Sequence, residues 1–178
     1  MDQRTDEILV NESRNGNMAA FKTLVERHES KVAGVIKSML GDTPEAVDVG
    51  QEVFIRFYEA LDKFRGESAV GTYLIRIGIN LSLNEIKRKK RRRLFFLPIE
   101  DGLAVKAAEE QTDMKEILNA EIKRLDAEFQ TVVTLRMIEG FSTEETAEIL
   151  GIPLGTVLSR LSRAQKKLKL TLAKHYRS

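Results

Sequence analysis

The sequence predicts an all-α protein of two helical domains joined by a flexible acidic linker. Apolar residues recur at spacings of three and four along most of its 178 residues, which is the period of an amphipathic helix. Only three prolines occur and aromatic residues make up 6%, whereas a sandwich or barrel needs many turn residues and aromatic or β-branched strands. Between the two helical stretches the periodicity is lost and acidic residues are in excess.

Three helices are predicted in the first half. The first begins at Asn17, after a polar and acidic N-terminus without the apolar stretch of a secretory signal, and ends at Leu40. Thr43 is predicted to cap the second helix, with Pro44 at its first position and an end near Lys63. The third begins near Val70 and continues into a basic run. The residues predicted to face inward are Phe21, Leu24, Val25, Val32, Val35, Ile36, Met39, Val49, Val53, Phe57, Leu61, Leu74, Ile77, Leu81 and Ile86.

The second helical half follows a stretch that lacks periodicity. Residues 94–118 contain Pro98 and Gly102, and the apolar pattern resumes near Ile117 and continues to Glu139. We therefore expect a first domain over residues 1–93, a linker over 94–118 and a second domain over 119–178.

Composition excludes several classes of protein. Cysteine is absent, so a disulfide scaffold, a thiolate metal site and a cysteine nucleophile are excluded. The two histidines, His28 and His175, lie near opposite ends of the chain, and no catalytic triad, phosphate-binding loop or metal-spaced cluster is visible. No run approaches the roughly 18 apolar residues that span a bilayer. We expect a cytoplasmic protein that needs no cofactor or metal and is not an enzyme.

Charge is divided unevenly along the chain. Residues 1–93 carry a net charge of +3, residues 94–128 one of −5 and residues 129–178 one of +4. The first positive segment ends in an uninterrupted run, KRKKRRR, at Lys87–Arg93, and no carboxylate follows Glu148. A solvated helix end or a localisation tag would explain one such run. Two basic regions that each end a helical segment favour two contacts with one polyanion.

The C-terminal segment carries the most specific motif. Ser142 and Glu145 have the spacing of a capping box, and Gly151 stands where a helix commonly ends in a left-handed residue. A second helix then begins near Pro153. Ala147 and Leu150 are predicted to face inward from the first of these helices; the inward residues of the second are Val157, Leu161, Ala164 and Leu168. Two short helices around a glycine turn predict a helix-turn-helix, whose second helix enters the DNA major groove.

With these residues identified, the chain resembles an extracytoplasmic function (ECF) sigma factor, a small bacterial transcription initiation factor of the sigma-E type. The segment from LDAEFQ to RAQKKL resembles sigma region 4, which binds the −35 promoter element. DVGQEVFIRFYEALDKFRGE and TYLIRIGINLSLNEIKRKKRR resemble the parts of region 2 that bind polymerase and that melt and read the −10 element. The resemblance implies core RNA polymerase (its β′ clamp helices and β flap), promoter DNA and an anti-sigma factor as partners.

The resemblance also implies roles for individual residues. Those implied in docking on the β′ clamp helices are Asp48, Gln51, Glu52, Ile55 and Arg56. Those implied in capturing an everted base of the single-stranded −10 element are Phe64, Arg65, Gly66, Glu67 and Ser68, with Tyr73, Arg76 and Asn80 on the following helix. Phosphate contacts near the melted DNA are implied for Lys87, Arg88, Arg91 and Arg92. A buried structural role for Phe64 and Tyr73 is the alternative.

On the second helix of the helix-turn-helix, the resemblance implies that the face opposite the apolar stripe binds duplex DNA at the −35 element. Its members are Thr156, Leu158, Ser159, Arg160, Ser162, Arg163, Lys166 and Lys167. The sequence departs from the family at Leu158 and Ser162, where basic and aromatic or histidine residues are common. Val70, Gly71 and Tyr73 also depart from the family pattern, which leaves the −10 preference open. The −35 preference is open as well, because the leucine at position 158 can at most touch a thymine methyl.

Two other classes of function remain open on sequence grounds. A stand-alone helix-turn-helix regulator would bind duplex DNA tightly without polymerase. A protein-binding adaptor would use its basic faces on acidic partners, independently of promoter sequence. The basic run alone does not separate DNA from RNA.

Overall fold

A computed structural model of the chain describes residues 3–96 and 114–175, which contain helices and no strand. In the first half the helices are α1 (Asp6–Arg14), α2 (Met18–Leu40), α3 (Pro44–Ala60) and α4 (Val70–Phe96), with a 3₁₀ turn over Leu61–Lys63. In the second half they are α5 (Met114–Arg124), α6 (Ala127–Val133), α7 (Thr143–Leu150) and α8 (Leu154–His175), with a π turn over Thr134–Ile138. The all-α prediction is confirmed.

Side chains fix the helix ends as the sequence predicts. The backbone N–H of Ala46 donates to Thr43 Oγ1 at 3.3 Å, with Pro44 in the first turn of α3. At α7 the capping box is complete, because Glu145 N–H donates to Ser142 Oγ at 3.0 Å and Ser142 N–H donates to Glu145 Oε2 at 2.6 Å. Gly151 ends α7 in the left-handed region, with φ of 63°. These groups satisfy the backbone donors and acceptors that helix ends leave unpaired.

The structure contains one helix in the first half, α1, that the apolar periodicity does not predict. Thr5 caps it, its first turn carries Asp6 and Glu7, and Leu9 and Val10 are buried against the rest of the first half. Only two large apolar residues of this nine-residue helix are buried, so the stripe is too short to stand out from its polar surroundings. Tertiary packing stabilises α1 rather than a strong local pattern.

The larger core lies among α1–α4. Its fully buried side chains include Leu24, Ile36, Val53, Phe57 and Leu74. On α4 the predicted inward residues Ile77, Leu81 and Ile86 are only partly buried, whereas Ile75 and Ile79 are buried. The buried side of α4 is therefore broader than the predicted stripe.

A smaller core holds the second half together. Ile122, Phe129 and Val133 pack there against Ala164 and Leu168 of α8. On α7 the prediction of the buried side is only partly right: Ala147 and Leu150 are half-buried, with Leu150 packed against the larger core, whereas Thr146 and Ile149 are more deeply buried. The reason is that Ile149 packs, with Leu135, into the larger core of the first half.

Most of the predicted linker, residues 94–118, lies outside the described residues. Within the described residues, α4 continues to Phe96 and α5 begins at Met114.

Candidate polymerase and nucleic-acid interfaces

The outer side of α3 presents polar and apolar side chains together. Asp48, Gln51, Ile55 and Arg56 are exposed, and Ile55 keeps 52% of its surface accessible. Arg56 Nε donates to Glu52 Oε1 at 2.7 Å, one helical turn away. The five docking residues implied by the resemblance therefore share one accessible side of one helix.

An apolar groove of about 430 Å³ adjoins this side, between α2 and α3. Val25, Val32, Phe54 and Gln51 line it together with Val47, which is 54% exposed. Large accessible apolar side chains beside polar ones are typical of a surface that docks a protein.

The loop between α3 and α4 is held from below by aromatic rings. Phe57 is fully buried, and its ring lies 5.7 Å from that of Phe64 and 5.9 Å from that of Tyr73. Phe64 and Tyr73 also meet edge to face at 5.1 Å. Both rings are only partly buried. They therefore anchor the loop while keeping an edge in contact with the surface.

Arg14, which the sequence did not single out, fixes the same loop from α1. Its Nε donates to the backbone oxygen of Leu61 at 2.7 Å, its Nη2 donates to that of Phe64, and its Nη1 donates to Asn11 Oδ1 at 3.1 Å. Leu61 and Phe64 lie 47 and 50 residues after Arg14 in the sequence, so no local pattern could reveal these two contacts.

Clefts flank the loop on both sides. One, of about 440 Å³, lies between the loop and α1 and is lined by Asp6, Asn11 and Arg14 as well as Arg65 and Ser68. The other, of about 370 Å³, lies between the loop and α4. It is lined by Lys63, Phe64, Arg65, Glu67, Ser68, Tyr73 and Arg76. Gly66 takes a positive φ of 70°, which turns the chain between these clefts.

Farther along α4, Asn80 is exposed and shares a third cleft with Tyr73 and Lys63. The structure thus brings the predicted −10 residues from the loop and from α4 onto one surface. Bases are bound on such surfaces by pockets, aromatic faces and nearby cations.

The basic end of α4 is exposed at Lys87, Arg88, Arg91 and Arg92. Arg88 pairs with Glu85 at 2.7 Å, and Lys89 pairs with Glu45 at 3.2 Å. A hydrogen bond from its own backbone, followed by that of Lys89, lowers the pKa of Glu45. Arg88 and Lys89 are thus both engaged by carboxylates of the chain, whereas Lys87, Arg91 and Arg92 are exposed.

Helix α8 presents the face expected of a recognition helix. Val157, Ala164 and Leu168 are buried on its inner side. On its outer side Leu158, Ser159, Ser162, Arg163, Lys166 and Lys167 are exposed, and Thr156 and Arg160 are half-buried. Neighbouring donors and cations along one exposed helix face suit the edges and phosphates of a major groove.

Two of these cations are held by carboxylates at the start of α6. Arg160 lies 2.9 Å from Glu128, and Lys167 lies 2.6 Å from Asp126 and 4.6 Å above the centre of the Phe129 ring. The hydrogen bond from Lys167 lowers the pKa of Asp126. The sequence predicted the cations of this face but not their carboxylate partners.

Arg76 differs from the other predicted −10 residues, because it contacts the second half of the chain. Its Nε donates to the backbone oxygen of Ile149 at 3.0 Å, and its Nη2 donates to that of Glu148 at 2.5 Å. These carbonyls lie at the C-terminal end of α7, where a cation also interacts favourably with the negative end of the helix dipole.

No helix in the described part of the chain is long and apolar enough to cross a membrane. Among residues 3–96 and 114–175, no three histidine, cysteine or carboxylate side chains gather as metal ligands would.

Comparison with known proteins bears on both halves. Residues 24–92 match the family described as sigma-70 region 2, and residues 115–168 match sigma-70 region 4. These two regions, in this order, define the class: a sigma factor of the sigma-70 type.

Similarity to individual proteins narrows the class. The ECF RNA polymerase sigma-E factor of Haemophilus influenzae is 37% identical over 187 residues, covering 94% of this chain and 95% of that protein. That of Escherichia coli K12 is 37% identical over 186 residues and covers 94% of each. The chain belongs to the ECF RNA polymerase sigma factors, and it is a transcription initiation factor.

Two solved structures share the fold. CnrH, in complex with the cytosolic domain of CnrY, gives a TM-score of 0.69 at 27% identity over 95% of this chain and 97% of that one. The sigma factor RpoE, in complex with the anti-sigma factor NepR from Bartonella quintana, gives 0.64 at 23% identity over 86% and 96%.

Proposed function

We propose that this protein binds core RNA polymerase through the outer side of α3, reads the −10 element with the loop and α4, and reads the −35 element with α8. One observation carries the proposal. A chain of this family holds all three groups of side chains on helix or loop surfaces of one folded unit, and most of these side chains are exposed.

Docking on polymerase is assigned to Asp48, Gln51, Glu52, Ile55 and Arg56. An exposed isoleucine at the centre of a polar face supports this, because a single apolar anchor within a polar rim is the usual composition of a protein interface. The neighbouring groove extends the apolar area that a partner helix would cover.

Reading of the −10 element is assigned to the loop over residues 64–68 with Tyr73, Arg76 and Asn80. The clefts beside the loop support capture of an everted base, and the rings of Phe64 and Tyr73 give it a firm floor. Lys87, Arg88, Arg91 and Arg92 are assigned to phosphates, where they add affinity without sequence information.

Reading of the −35 element is assigned to the exposed face of α8. Arg163 and Lys166 face solvent directly, and Arg160 and Lys167 can exchange their carboxylate partners for phosphates. Leu158 is half exposed at 50% and is assigned to a thymine methyl.

We infer the remaining assignments from the resemblance to the family. Residues 1–93 form the polymerase and −10 domain, 94–118 the linker and 119–178 the −35 domain. The protein acts in the cytoplasm and catalyses no covalent reaction itself. It is inhibited by an anti-sigma factor that binds it, as NepR binds the RpoE of Bartonella quintana.

Run-off transcription tests the proposal. Bacterial core polymerase, with and without the protein, is incubated with a library of promoter fragments, and transcripts are sequenced. Sequence-selective transcripts that need both components support the proposal and give the −10 and −35 preferences. Tight duplex binding by the protein alone, with no transcripts, would favour a stand-alone regulator.

A matched pair of variants isolates the docking surface. Ile55→Asp places a charge at the proposed anchor, and Ile8→Asp places one at an isoleucine of α1 that is 46% exposed. We expect Ile55→Asp to weaken co-purification with core polymerase by at least about tenfold, since a buried unpaired charge costs more than about 1.4 kcal/mol. Ile8→Asp should leave co-purification unchanged. Equal behaviour of the two variants would remove α3 from the interface.

A further inference from the structure

The second half of the chain packs on the first through buried side chains. Leu135 is fully buried and Ile149 is 3% exposed, and both belong to the core cluster whose other buried members come from α1–α4 and the 3₁₀ turn. Gln130, also buried, donates from Nε2 to the backbone oxygen of Met39 at 3.3 Å. The two halves therefore share one apolar core rather than meeting at a wet surface.

The Glu139 carboxylate stabilises this contact between the two halves. Glu139 Oε1 accepts from Ser38 Oγ at 2.6 Å, and Glu139 Oε2 lies 3.8 Å from Lys31 Nζ. Lys31 also donates to the backbone oxygen of Glu139 at 2.6 Å and stands 4.4 Å above the centre of the Phe141 ring. Only 12% of the Glu139 side-chain surface is accessible, and Lys31 and Ser38 of α2 supply the polar partners that a buried carboxylate needs.

Gly34 makes room for that carboxylate. A Cβ at residue 34 would lie 3.0 Å from Glu139 Oε2, closer than side chains normally approach. Glycine in the middle of a 23-residue helix costs about 1 kcal/mol relative to alanine. Close approach of residues 31–38 to the 139–141 turn gives a physical reason for a glycine there.

The contact covers part of the surface assigned to the −10 element. Both donors described for Arg76 are used on the terminal carbonyls of α7. Ile149, Leu150 and Gly151 share a cleft of about 300 Å³ with Arg76 and Asn80. A DNA strand that approached Asn80 and Arg76 would meet the end of α7 in the same space.

Other working surfaces stay accessible in this arrangement. Asp48, Gln51, Ile55 and Arg56 of the docking side are exposed, and so are Arg163 and Lys166 of α8. The covering is therefore selective: it affects the Arg76 end of the −10 surface and leaves polymerase docking possible.

We propose that region 4 acts as a built-in cover of the −10 surface, held by Glu139 against Lys31, Gly34 and Ser38 and by Arg76 against the end of α7. Binding to polymerase separates the halves and frees Arg76 for the promoter strand. The inference rests on the proposed function for the identity of the −10 surface. The closed arrangement itself is independent of that identity.

Fluorescence transfer tests the closed arrangement in the full chain. The sequence has no cysteine, so Asp62→Cys and Lys169→Cys, both at exposed positions in opposite halves, accept a donor and an acceptor dye selectively. Gly34→Glu is introduced to push a second carboxylate against Glu139. Ala19→Glu, at an exposed position in the first turn of the same helix, is the matched control.

We expect Gly34→Glu to lower the transfer efficiency relative to the parent and to Ala19→Glu, and core polymerase to lower it in all three. Circular dichroism checks that helix content is retained. Glu139→Ala, which removes the same fastening from the other side, provides a second opening variant and should act in the same direction. Equal efficiency in the parent and both opening variants would overturn the closed arrangement.

A binding measurement tests the cover. The probe is single-stranded DNA with the −10 sequence obtained from run-off transcription, and its anisotropy is measured with the protein alone. We expect Gly34→Glu to bind about tenfold more tightly than Ala19→Glu, because only the open fraction binds. With core polymerase present, the two should bind equally.

The outcomes separate two kinds of failure. Lowered transfer with unchanged DNA affinity would show that the halves meet without covering the −10 surface and would overturn the cover. If no promoter is selected by run-off transcription, the proposed function fails, while the transfer efficiencies still decide whether the closed arrangement exists.

Discussion

The proposed −10 and −35 surfaces of this protein are built in opposite ways. The −10 surface is assembled from α1, a loop and α4, with Arg14 and the buried Phe57 ring holding the loop from two directions. The −35 surface is one side of a single helix, α8. A surface assembled from several elements depends on tertiary packing, whereas a helix face depends mainly on the register of its own residues.

The hydrophobic cores of the two halves also differ, in size and in independence from each other. The first-half core contains many fully buried side chains, while the second half has a small cluster and contributes Leu135 and Ile149 to its neighbour. Region 4 therefore gains part of its stability from contact with region 2.

Truncating the two central phenylalanines should separate the cores most clearly. Phe57 is fully buried, whereas Phe129 is 7% exposed in the smaller cluster. We expect Phe57→Ala to lower the free energy of unfolding by about 3–5 kcal/mol and Phe129→Ala by roughly the lower end of that range. Urea unfolding followed by circular dichroism measures both.

Ile8→Ala, at an exposed site, should stay within about 0.5 kcal/mol and serves as the control for this pair. A larger loss for Phe129→Ala than for Phe57→Ala would contradict the view that region 2 holds the dominant core.

Arg163→Ala tests the −35 surface directly. Arg163 is exposed on α8, whereas the next residue, Ala164, is buried. We expect duplex −35 binding to weaken by about 1–3 kcal/mol if Arg163 pairs with a base edge. Competition with base-substituted duplexes shows whether specificity relaxes at one position.

Lys123→Ala, at an exposed lysine of α5, is the control. A uniform loss for Arg163→Ala across all sequences, with a salt slope smaller by about one, would assign Arg163 to a phosphate instead.

Arg14→Gln tests the assembled surface at a residue that is not among those assigned to base contact, although it lines one of the neighbouring clefts. The substitution removes the bonds to the backbone of Leu61 and Phe64. Charge-assisted hydrogen bonds of this kind contribute about 1.5–3 kcal/mol, of which we expect part to appear as a several-fold loss of promoter opening. Fluorescence of a base analogue placed in the −10 strand measures opening.

Because Arg14 positions the loop rather than reading DNA, duplex binding at −35 should not change. Arg14→Lys should rescue little, since one ammonium cannot reproduce the fork of a guanidinium. Full rescue by lysine would show that charge near the loop, and not its geometry, is what matters.

The contrast between the surfaces also explains what the sequence could predict. Val157, Ala164 and Leu168 set the register of α8, so its outer face follows from periodicity alone, and the capping box of Ser142 and Glu145 marks the preceding helix. Sequence spacing carries this information because all the residues lie on one element.

Long-range partners do not follow from sequence spacing. The contacts of Arg76 with Glu148 and Ile149 join residues 72 and 73 positions apart, and those of Lys31 and Ser38 with Glu139 span more than 100. Such pairings depend on how helices pack, which no local pattern encodes. Helix α1 was missed for the same reason.

The smallest effect we expect concerns Lys167, the cation of the −35 face that is held by Asp126 at 2.6 Å. Asp126→Asn removes the attraction that competes with a phosphate, so duplex affinity should rise slightly and the salt slope should grow by up to about one. Glu116→Gln, at an exposed carboxylate of α5, should change neither. Titration of binding against salt concentration measures both quantities.

The pH dependence sharpens this comparison. Lys167 lowers the pKa of Asp126, so the pair is intact above the ordinary aspartate value and breaks only as pH falls through the lowered one. The affinity ratio of Asp126→Asn to the parent should therefore stay constant between about pH 6 and 8, well above an aspartate pKa near 3.9. A ratio that approached one as the pH fell within that range would mean that Asp126 is protonated there, and that Lys167 does not hold its charge.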